Sequence, residues 1–253
     1  MLQPTSILLL VILPWSAIAA DNCGIRGNTA TIKEAPYIAS VQFSNNYICS
    51  GAIINPQFIL ITSDCVKDHN RTAFTVRVGV ADRDSGPVLQ ACDITFHPHG
   101  KKRRYDSRLA LLKVCTPLTL SEDVKTIAIT KRKPKKDAKA SIFGWGSTTR
   151  WHHKKKSCWA ASSEVLRKDE VQMVDVKTCA SKRKLYFKHL SVSDRNICTA
   201  KKDKLCSYDK GSPLVIDGKL AAILNIGACG VRPDIYFSLF KYKRWIDDHM
   251  KNK

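Results

Sequence analysis

Phe58-Ile59-Leu60-Ile61-Thr62-Ser63-Asp64-Cys65 is the stretch from which the fold is read. Five apolar or β-branched residues follow Asn55-Pro56-Gln57 and run into Ser-Asp, too short a run for a helix. A run of this length and composition between turn formers reads as a buried strand. Similar runs lie on both sides. Upstream are Tyr37 to Phe43 and Ile48 to Ile54; downstream are Phe74 to Val80, Leu109 to Val114, Ser141 to Gly144, Leu214 to Ile216 and Leu220 to Ile226. Many are β-branched and bounded by Gly, Pro, Asn or Asp, which predicts an all-β barrel or sandwich. One helix is predicted, at the C-terminus, where Phe240, Trp245, Ile246 and Met250 lie close to a 3.6-residue period with charges between them. No internal repeat and no long heptad pattern is visible.

The chain has 253 residues, and 42 Lys and Arg stand against 22 Asp and Glu, a formal net charge of +20. A chain of that imbalance repels itself and is drawn to polyanions at low and moderate salt. Residues 1–20 carry no charged side chain, and the apolar run Ile7 to Leu13 ends in Ala17-Ile18-Ala19-Ala20. This reads as a secretory signal, although it lacks a basic n-region. The run is too short to span a bilayer, and no later stretch is long and apolar enough either. Ten cysteines in an exported chain favour disulfides over metal sites. Asn70-Arg71-Thr72 is an N-glycosylation sequon, so Asn70 is expected at the surface. The charged, Pro-containing segment Lys131-Arg132-Lys133-Pro134-Lys135-Lys136 interrupts the strand pattern. The expected organisation is therefore a signal at 1–20, a first barrel at 21–130, a basic linker at 131–136, and a second barrel with the terminal helix at 137–253.

Seven segments, in order, resemble the trypsin/chymotrypsin-like serine protease family across nearly all of the mature chain. They are Ile25-Arg26-Gly27-Asn28 with Ala35-Pro36-Tyr37; Cys49-Ser50-Gly51-Ala52-Ile53-Ile54; Phe58 to Cys65; Leu109-Ala110-Leu111-Leu112-Lys113; Gly144-Trp145-Gly146-Ser147; Asn196-Ile197-Cys198; and Cys206-Ser207-Tyr208-Asp209-Lys210-Gly211-Ser212-Pro213-Leu214. The resemblance implies two antiparallel six-stranded β-barrels, chymotrypsin-like, with an active site between them and a C-terminal α-helix. It also implies disulfides Cys49–Cys65, Cys179–Cys198 and Cys206–Cys229. A further family bridge is missing at both ends, where Ala140 and Ile216 stand. Cys23, Cys92, Cys115 and Cys158 remain and allow three connectivities. Cys92–Cys115 is preferred because both flank strands that are neighbours in the family, and Cys23–Cys158 is then left over.

The family's chemistry needs a serine that attacks, a histidine that takes its proton, and a buried carboxylate that holds the imidazole. The histidine position, before Cys65, is Asp64; a carboxylate of ordinary pKa near ~4 is a poor base for a hydroxyl at neutral pH. The aspartate position, before Leu109, is Arg108, which has no acceptor. The serine position, after Asp209, is Lys210, and the oxyanion-hole glycine is Tyr208. Asp106, two residues before Arg108, could point the same way along a strand, but rescuing it supplies neither nucleophile nor base. Lys210 and Ser212 form a conceivable Ser-Lys dyad, set aside because both sit in one tight loop without an evident orienting partner. Loss of one triad group costs several orders of magnitude in rate. The three replacements are all charged, so Asp64 is expected to be flanked by Arg108 and Lys210 in a polar, non-catalytic salt-bridge cluster.

The specificity pocket is expected to be refitted as well. Its base is Lys204, its wall carries Ile226 where the family has glycine, and Asp234 replaces another pocket glycine and could pair with Lys204. Ile25 follows Gly24, so trypsin-like activation is not expected, and Asp209 would then lack the new amine as its partner. Positive charge clusters at Lys101-Lys102-Arg103-Arg104; at Lys131, Arg132, Lys133, Lys135 and Lys136; at Lys154-Lys155-Lys156, with Trp151 and Trp159 flanking; at Lys182-Arg183-Lys184; and at Lys201-Lys202. Together these runs read as a polyanion-binding surface. The expectation is a secreted, extracellular, non-catalytic homologue that needs no cofactor or metal. It would bind an extracellular protein partner (a protease, protease precursor or inhibitor), with a sulfated glycan or an anionic microbial surface as polyanion. Nucleic acid is not expected in vivo. The alternatives are a cationic antimicrobial defence protein and, last, an active serine endopeptidase.

Overall fold

Two rings of antiparallel strands carry the molecule. A computed structural model describes residues 27–67, 69–70, 73–98, 108–146, 163–184, 192–200, 209–227 and 232–251, with backbone alone at 151–153, 156–158 and 184. A short β1 (Asn28–Thr29) precedes β2 (Ile38–Phe43), β3 (Asn46–Asn55), β4 (Phe58–Thr62), β5 (Phe74–Val78), β6 (Leu89–Phe96) and β7 (Leu109–Val114). Strands β2 to β7 close into a barrel in the order β2-β3-β4-β7-β6-β5. Then come β8 (Ala140–Gly144), β9 (Trp151–His153), β10 (Lys156–Cys158), β11 (Arg167–Val174), α1 (Val176–Lys184), β12 (Asn196–Ala200), β13 (Pro213–Ile216), β14 (Lys219–Ile226), β15 (Asp234–Ser238) and α2 (Leu239–Lys251). The order β11-β12-β15-β14-β13-β8 is closed by a β11–β8 pairing, β1 adds to the outside of β11, and β9 and β10 form a separate hairpin. The expected architecture, two six-stranded antiparallel barrels and a terminal helix, is thus observed.

All five residues of β4 are buried because both of its faces are covered. Ile59 and Ile61 join the first barrel's core with Val41, Phe74, Val76 and Leu112. Phe58 and Leu60 point the other way, into a layer with Leu109, Leu111, Ile127, Leu220, Ile223, Phe237 and Ile246 that joins the barrels and α2. Side chains alternate along a strand, so double burial erases the polar half of the pattern and leaves a continuous apolar run. By contrast β5 buries Phe74, Val76 and Val78 but only half-buries Thr75 and Arg77. In α2 the buried stripe is Leu239, Tyr242 and Ile246, with Trp245 and Met250 packed at its edge, whereas Phe240 is 37% exposed. The expected helix is present, and Trp245, Ile246 and Met250 lie on its inward side as expected. Phe240 does not, because Leu239 follows β15 directly and takes the core position.

Disulfides join Cys49 to Cys65, Cys92 to Cys115 and Cys179 to Cys198. The preferred pairing of Cys92 is observed because β6 and β7 run side by side, with Ala91 opposite Val114. Ala140 and Ile216, read as the emptied ends of a family bridge, stand opposite each other across β8 and β13 and pack into the second barrel's core. Cys23, Cys206 and Cys229, the sulfur of Cys158, and residues 1–20 lie outside the described residues. No helix among the described residues is long and apolar enough to cross a membrane.

Candidate functional site

The groove between the barrels is built on β4, β7 and the loop before β13. After β4 the chain makes one 3-10 turn, Ser63–Cys65, which carries Asp64. The amide of Ser63 donates to the carbonyl of Arg108 at 2.9 Å, and the Thr62 hydroxyl donates to the same oxygen at 3.0 Å. This fixes the start of β7 against the turn, so Arg108 faces Asp64. Its Nη1 donates to both carboxylate oxygens of Asp64, each at 2.8 Å. Both side chains are close to nine-tenths buried, at 13% and 12% exposure. Lys67 adds its ammonium 3.3 Å from Asp64 Oδ1. Burial alone would push Asp64 up; Arg108 in direct contact, with Lys210 and Lys67 through charge, outweighs it and holds the carboxyl below its ordinary range.

The cluster expected from the sequence was Asp64 flanked by Arg108 and Lys210. Arg108 takes that place. The second cation in contact is Lys67, and half-buried Lys210 acts only from beyond ion-pair distance. The Lys210 carbonyl accepts from the Ser50 amide at 3.1 Å, which docks its loop on β3. Lys67 was legible as the i+3 neighbour of Asp64 across one tight turn, but nothing in the sequence announced the turn.

Asp209, one residue before Lys210, is 1% exposed. Its Oδ1 accepts from the Tyr47 hydroxyl at 2.6 Å and the Ser50 amide at 3.3 Å. Its Oδ2 accepts from the Ser50 hydroxyl at 2.7 Å and from the amides of Trp145 and Gly146 at 2.7 and 3.2 Å. Its described partners are thus hydroxyls and amides, every one of them neutral; Ile25 and the amine that the family would place there lie outside the described residues. Burial raises its carboxyl above the ordinary range despite the donors, led by Tyr47. Gly144 makes the approach possible, since a Cβ there would lie 2.1 Å from Asp209 Oδ2. Gly211 sits at φ +81°, where a Cβ would lie 2.0 Å from the Ser50 carbonyl oxygen. Ser212 is buried and its hydroxyl donates to the Phe143 carbonyl at 2.9 Å, so it turns away from Lys210 rather than towards it. The described imidazoles pack on rings: His69 on Phe43 and Phe74, His97 and His249 on Trp245.

Of the expected pocket residues, Ile226 is half-buried, stands opposite Ile235 and packs near the Cys179–Cys198 bridge. Asp234 is buried at 2% exposure, opposite Thr199. Arg183 corrects the sequence reading. It was assigned to a basic surface run but is 1% exposed. It lies one turn of α1 after Cys179, whose disulfide pulls that face inward, and its Nε donates to the Pro233 carbonyl at 2.9 Å and its Nη2 to the Ile226 carbonyl at 3.2 Å. Its charge is thus spent inside, against the wall that Ile226 forms. Lys131, Arg132, Lys133, Lys135, Lys136 and Lys182 are exposed, as is Asn70. Lys101, Lys102, Arg103, Arg104, Asp106, Lys154, Lys155, Trp159, Lys201, Lys202, Lys204 and Tyr208 lie outside the described residues, as do the side chains of Trp151, Lys156 and Lys184.

A family model described as Trypsin matches residues 25–246. The chain belongs to the trypsin family. Among its relatives, Trypsin iota of Drosophila melanogaster is 28% identical over 251 residues, covering 96% of this chain and 94% of that protein. A trypsin of Sarcophaga bullata is 26% identical over 237 residues, covering 90% of this chain and 89% of that protein. Mouse neuropsin, titled a serine protease expressed in the limbic system of mouse brain, superimposes with a TM-score of 0.74 at 23% identity, covering 89% of this chain and 99% of that one. That last likeness speaks for the fold alone. In this trypsin-family chain the positions read as the triad thus bring two residues, Asp64 and Arg108, into direct contact, while the third, Lys210, adds charge from a distance.

Proposed function

We propose that this chain is a secreted, non-catalytic member of the trypsin family that acts by binding, as a regulator, decoy or scaffold for an extracellular protease, protease precursor or inhibitor. One observation carries the reading: Arg108 Nη1 engages both oxygens of Asp64 at 2.8 Å. A carboxylate committed to a guanidinium and held ionised is no base for a hydroxyl at neutral pH. The committed hydroxyl of Ser212 supports the same reading, because it is bound to the Phe143 carbonyl and is not offered to Lys210 as a nucleophile. The relatives carry the name trypsin, and what passes from them to this chain is the family and the fold. The formal charge of +20 adds polyanion binding to the proposal.

The test is treatment of the purified protein with an active-site serine phosphonate, followed by assay of peptide hydrolysis beside an active trypsin at equal concentration. No labelling and no turnover is the expected result; either signal, at a stoichiometry above contamination, overturns the proposal. A pull-down from the native extracellular fluid, with and without competing heparin, then identifies the partner. Killing of bacteria by the isolated protein would move the assignment to a cationic defence protein.

A further inference from the structure

Among the described residues, several surface cations have carboxylate partners. Lys33 meets Glu122, Lys168 meets Glu34, Lys241 meets Asp194 and Lys243 meets Asp247. One groove gathers cations that have none. It has a volume of about 660 Å³ and lies between the segment 130–138 and the β13–β14 turn. Lys131, Arg132, Lys133, Lys135 and Lys219 line it, with two carboxylates, Asp137 and Asp217. None of the five cations makes an ion pair with any described residue. Like charges left unpaired around one concavity repel each other, a cost that a bound anion relieves.

The groove is held open by backbone, not by its charged side chains. The Thr130 amide donates to the Leu220 carbonyl at 3.0 Å, and the Thr130 hydroxyl donates to the Arg132 carbonyl at 3.0 Å. The Ala138 amide closes a turn on the Lys135 carbonyl at 3.3 Å, with Pro134 fixing φ ahead of it. Across the groove, Asp217 and Gly218 both have positive φ, 49° and 67°. That makes a two-residue hairpin turn which sets Lys219 directly opposite Ile216. Pro134, Ala138 and Ile216 are the apolar part of the lining. The cations therefore converge from two fixed walls, and little ordering entropy remains to be lost on binding beyond their own side chains.

We propose that this groove binds a sulfated oligosaccharide, with Lys131, Arg132, Lys133, Lys135 and Lys219 taking its sulfate and carboxylate groups. This rests on the polyanion-binding part of the function proposed above and locates it on the segment between the barrels. The volume falls in the range of roughly 300–1,000 Å³ in which small ligands are held. No aromatic residue stands among the described residues that line it, so these offer a nucleic acid no surface on which to stack bases. Its cations face one another across a concavity, which suits a thin chain lying between them better than the plane of a membrane.

The experiment uses the whole folded protein and size-defined, heparin-derived oligosaccharides, with affinity measured by titration calorimetry over a salt series. The triple variant Lys131→Ala/Lys133→Ala/Lys135→Ala is compared with a charge-matched control, Lys33→Ala/Lys125→Ala/Lys251→Ala. All six lysines are exposed, so melting temperatures are expected to stay near wild type. The groove variant is expected to weaken binding by about tenfold or more and to flatten its salt dependence, while the control stays within about twofold of wild type. Equal weakening in both variants overturns the groove and leaves polyanion binding standing as a property of net charge. No oligosaccharide binding by wild type at moderate salt overturns the polyanion reading and the groove together. A groove variant that keeps oligosaccharide affinity but loses binding to phosphatidylserine vesicles overturns the choice of ligand.

Discussion

Two carboxylates stand at either edge of the same loop cluster and are satisfied in opposite ways. Asp64 sits at the groove with Arg108 on both its oxygens and Lys67 beside it. Asp209 lies deep between the barrels, where Tyr47, Ser50 and two amides supply five hydrogen bonds and no charge. The first is held below the ordinary carboxyl range because facing cations outweigh burial; the second is raised because burial outweighs neutral donors. A buried charge can be met by an opposite charge or by converging dipoles. The two solutions differ in which neighbours are left exposed to loss when the carboxylate is removed.

The largest effect is expected at Asp209. Asp209→Ala strands the Trp145 and Gly146 amides in the interior and leaves the Tyr47 and Ser50 hydroxyls with only each other, 3.0 Å apart. It should cost about 4 kcal/mol in urea unfolding, and a cost below about 1 kcal/mol would break the comparison from that side. Asp64→Ala leaves Arg108 unpaired in a mostly buried position and should cost about 3 kcal/mol. Adding Arg108→Ala should recover part of that loss; strict additivity of the two changes would mean the pair is not coupled. The two sites should also show opposite slopes with pH. Asp64 is lower folded than unfolded, so its contribution is present above the unfolded value near ~3.9 and is lost as pH falls through the folded one. Asp209 is higher folded than unfolded, so its contribution is present below ~3.9 and is lost as pH rises through the folded value. Asp64→Asn should therefore flatten the acid limb of a stability profile and Asp209→Asn the limb above it; a single shared change in both variants would contradict the assignment. The smallest effect belongs to Lys67→Ala. Its side chain is 41% exposed, and removal should cost no more than about 0.5 kcal/mol by the same unfolding assay.

Much of this was legible along the chain. Cys65 and Pro213-Leu214 pinned Asp64 and Lys210, and the opposite charges at 64 and 108 announced a contact that β4 and β7 then made. Phe58–Thr62 and Leu109–Val114 were read to the residue, because burial on both faces leaves a nearly continuous apolar run between turn formers. Other residues resisted. Phe240 has the period of the buried helix face but lies outside it, since the helix phase is set by where β15 delivers Leu239. Arg183 sits among lysines in the sequence yet points inward, because the bridge at Cys179 turns its face of α1 to the barrel. Lys67 was passed over because a contact across one 3-10 turn leaves no periodic trace.

By itself the sequence determined many of the buried strands, the charge at each of the three family positions and the basic segment at 131–136, since burial patterning and net charge are local properties of the chain. Only the tertiary structure decided what each charge meets. Asp209 finds Tyr47 at a separation of 162 residues and the Trp145 amide at 64, through a gap that Gly144 leaves open. Separations of that size carry no periodic signal, because the contact exists only after two barrels have closed and packed against each other.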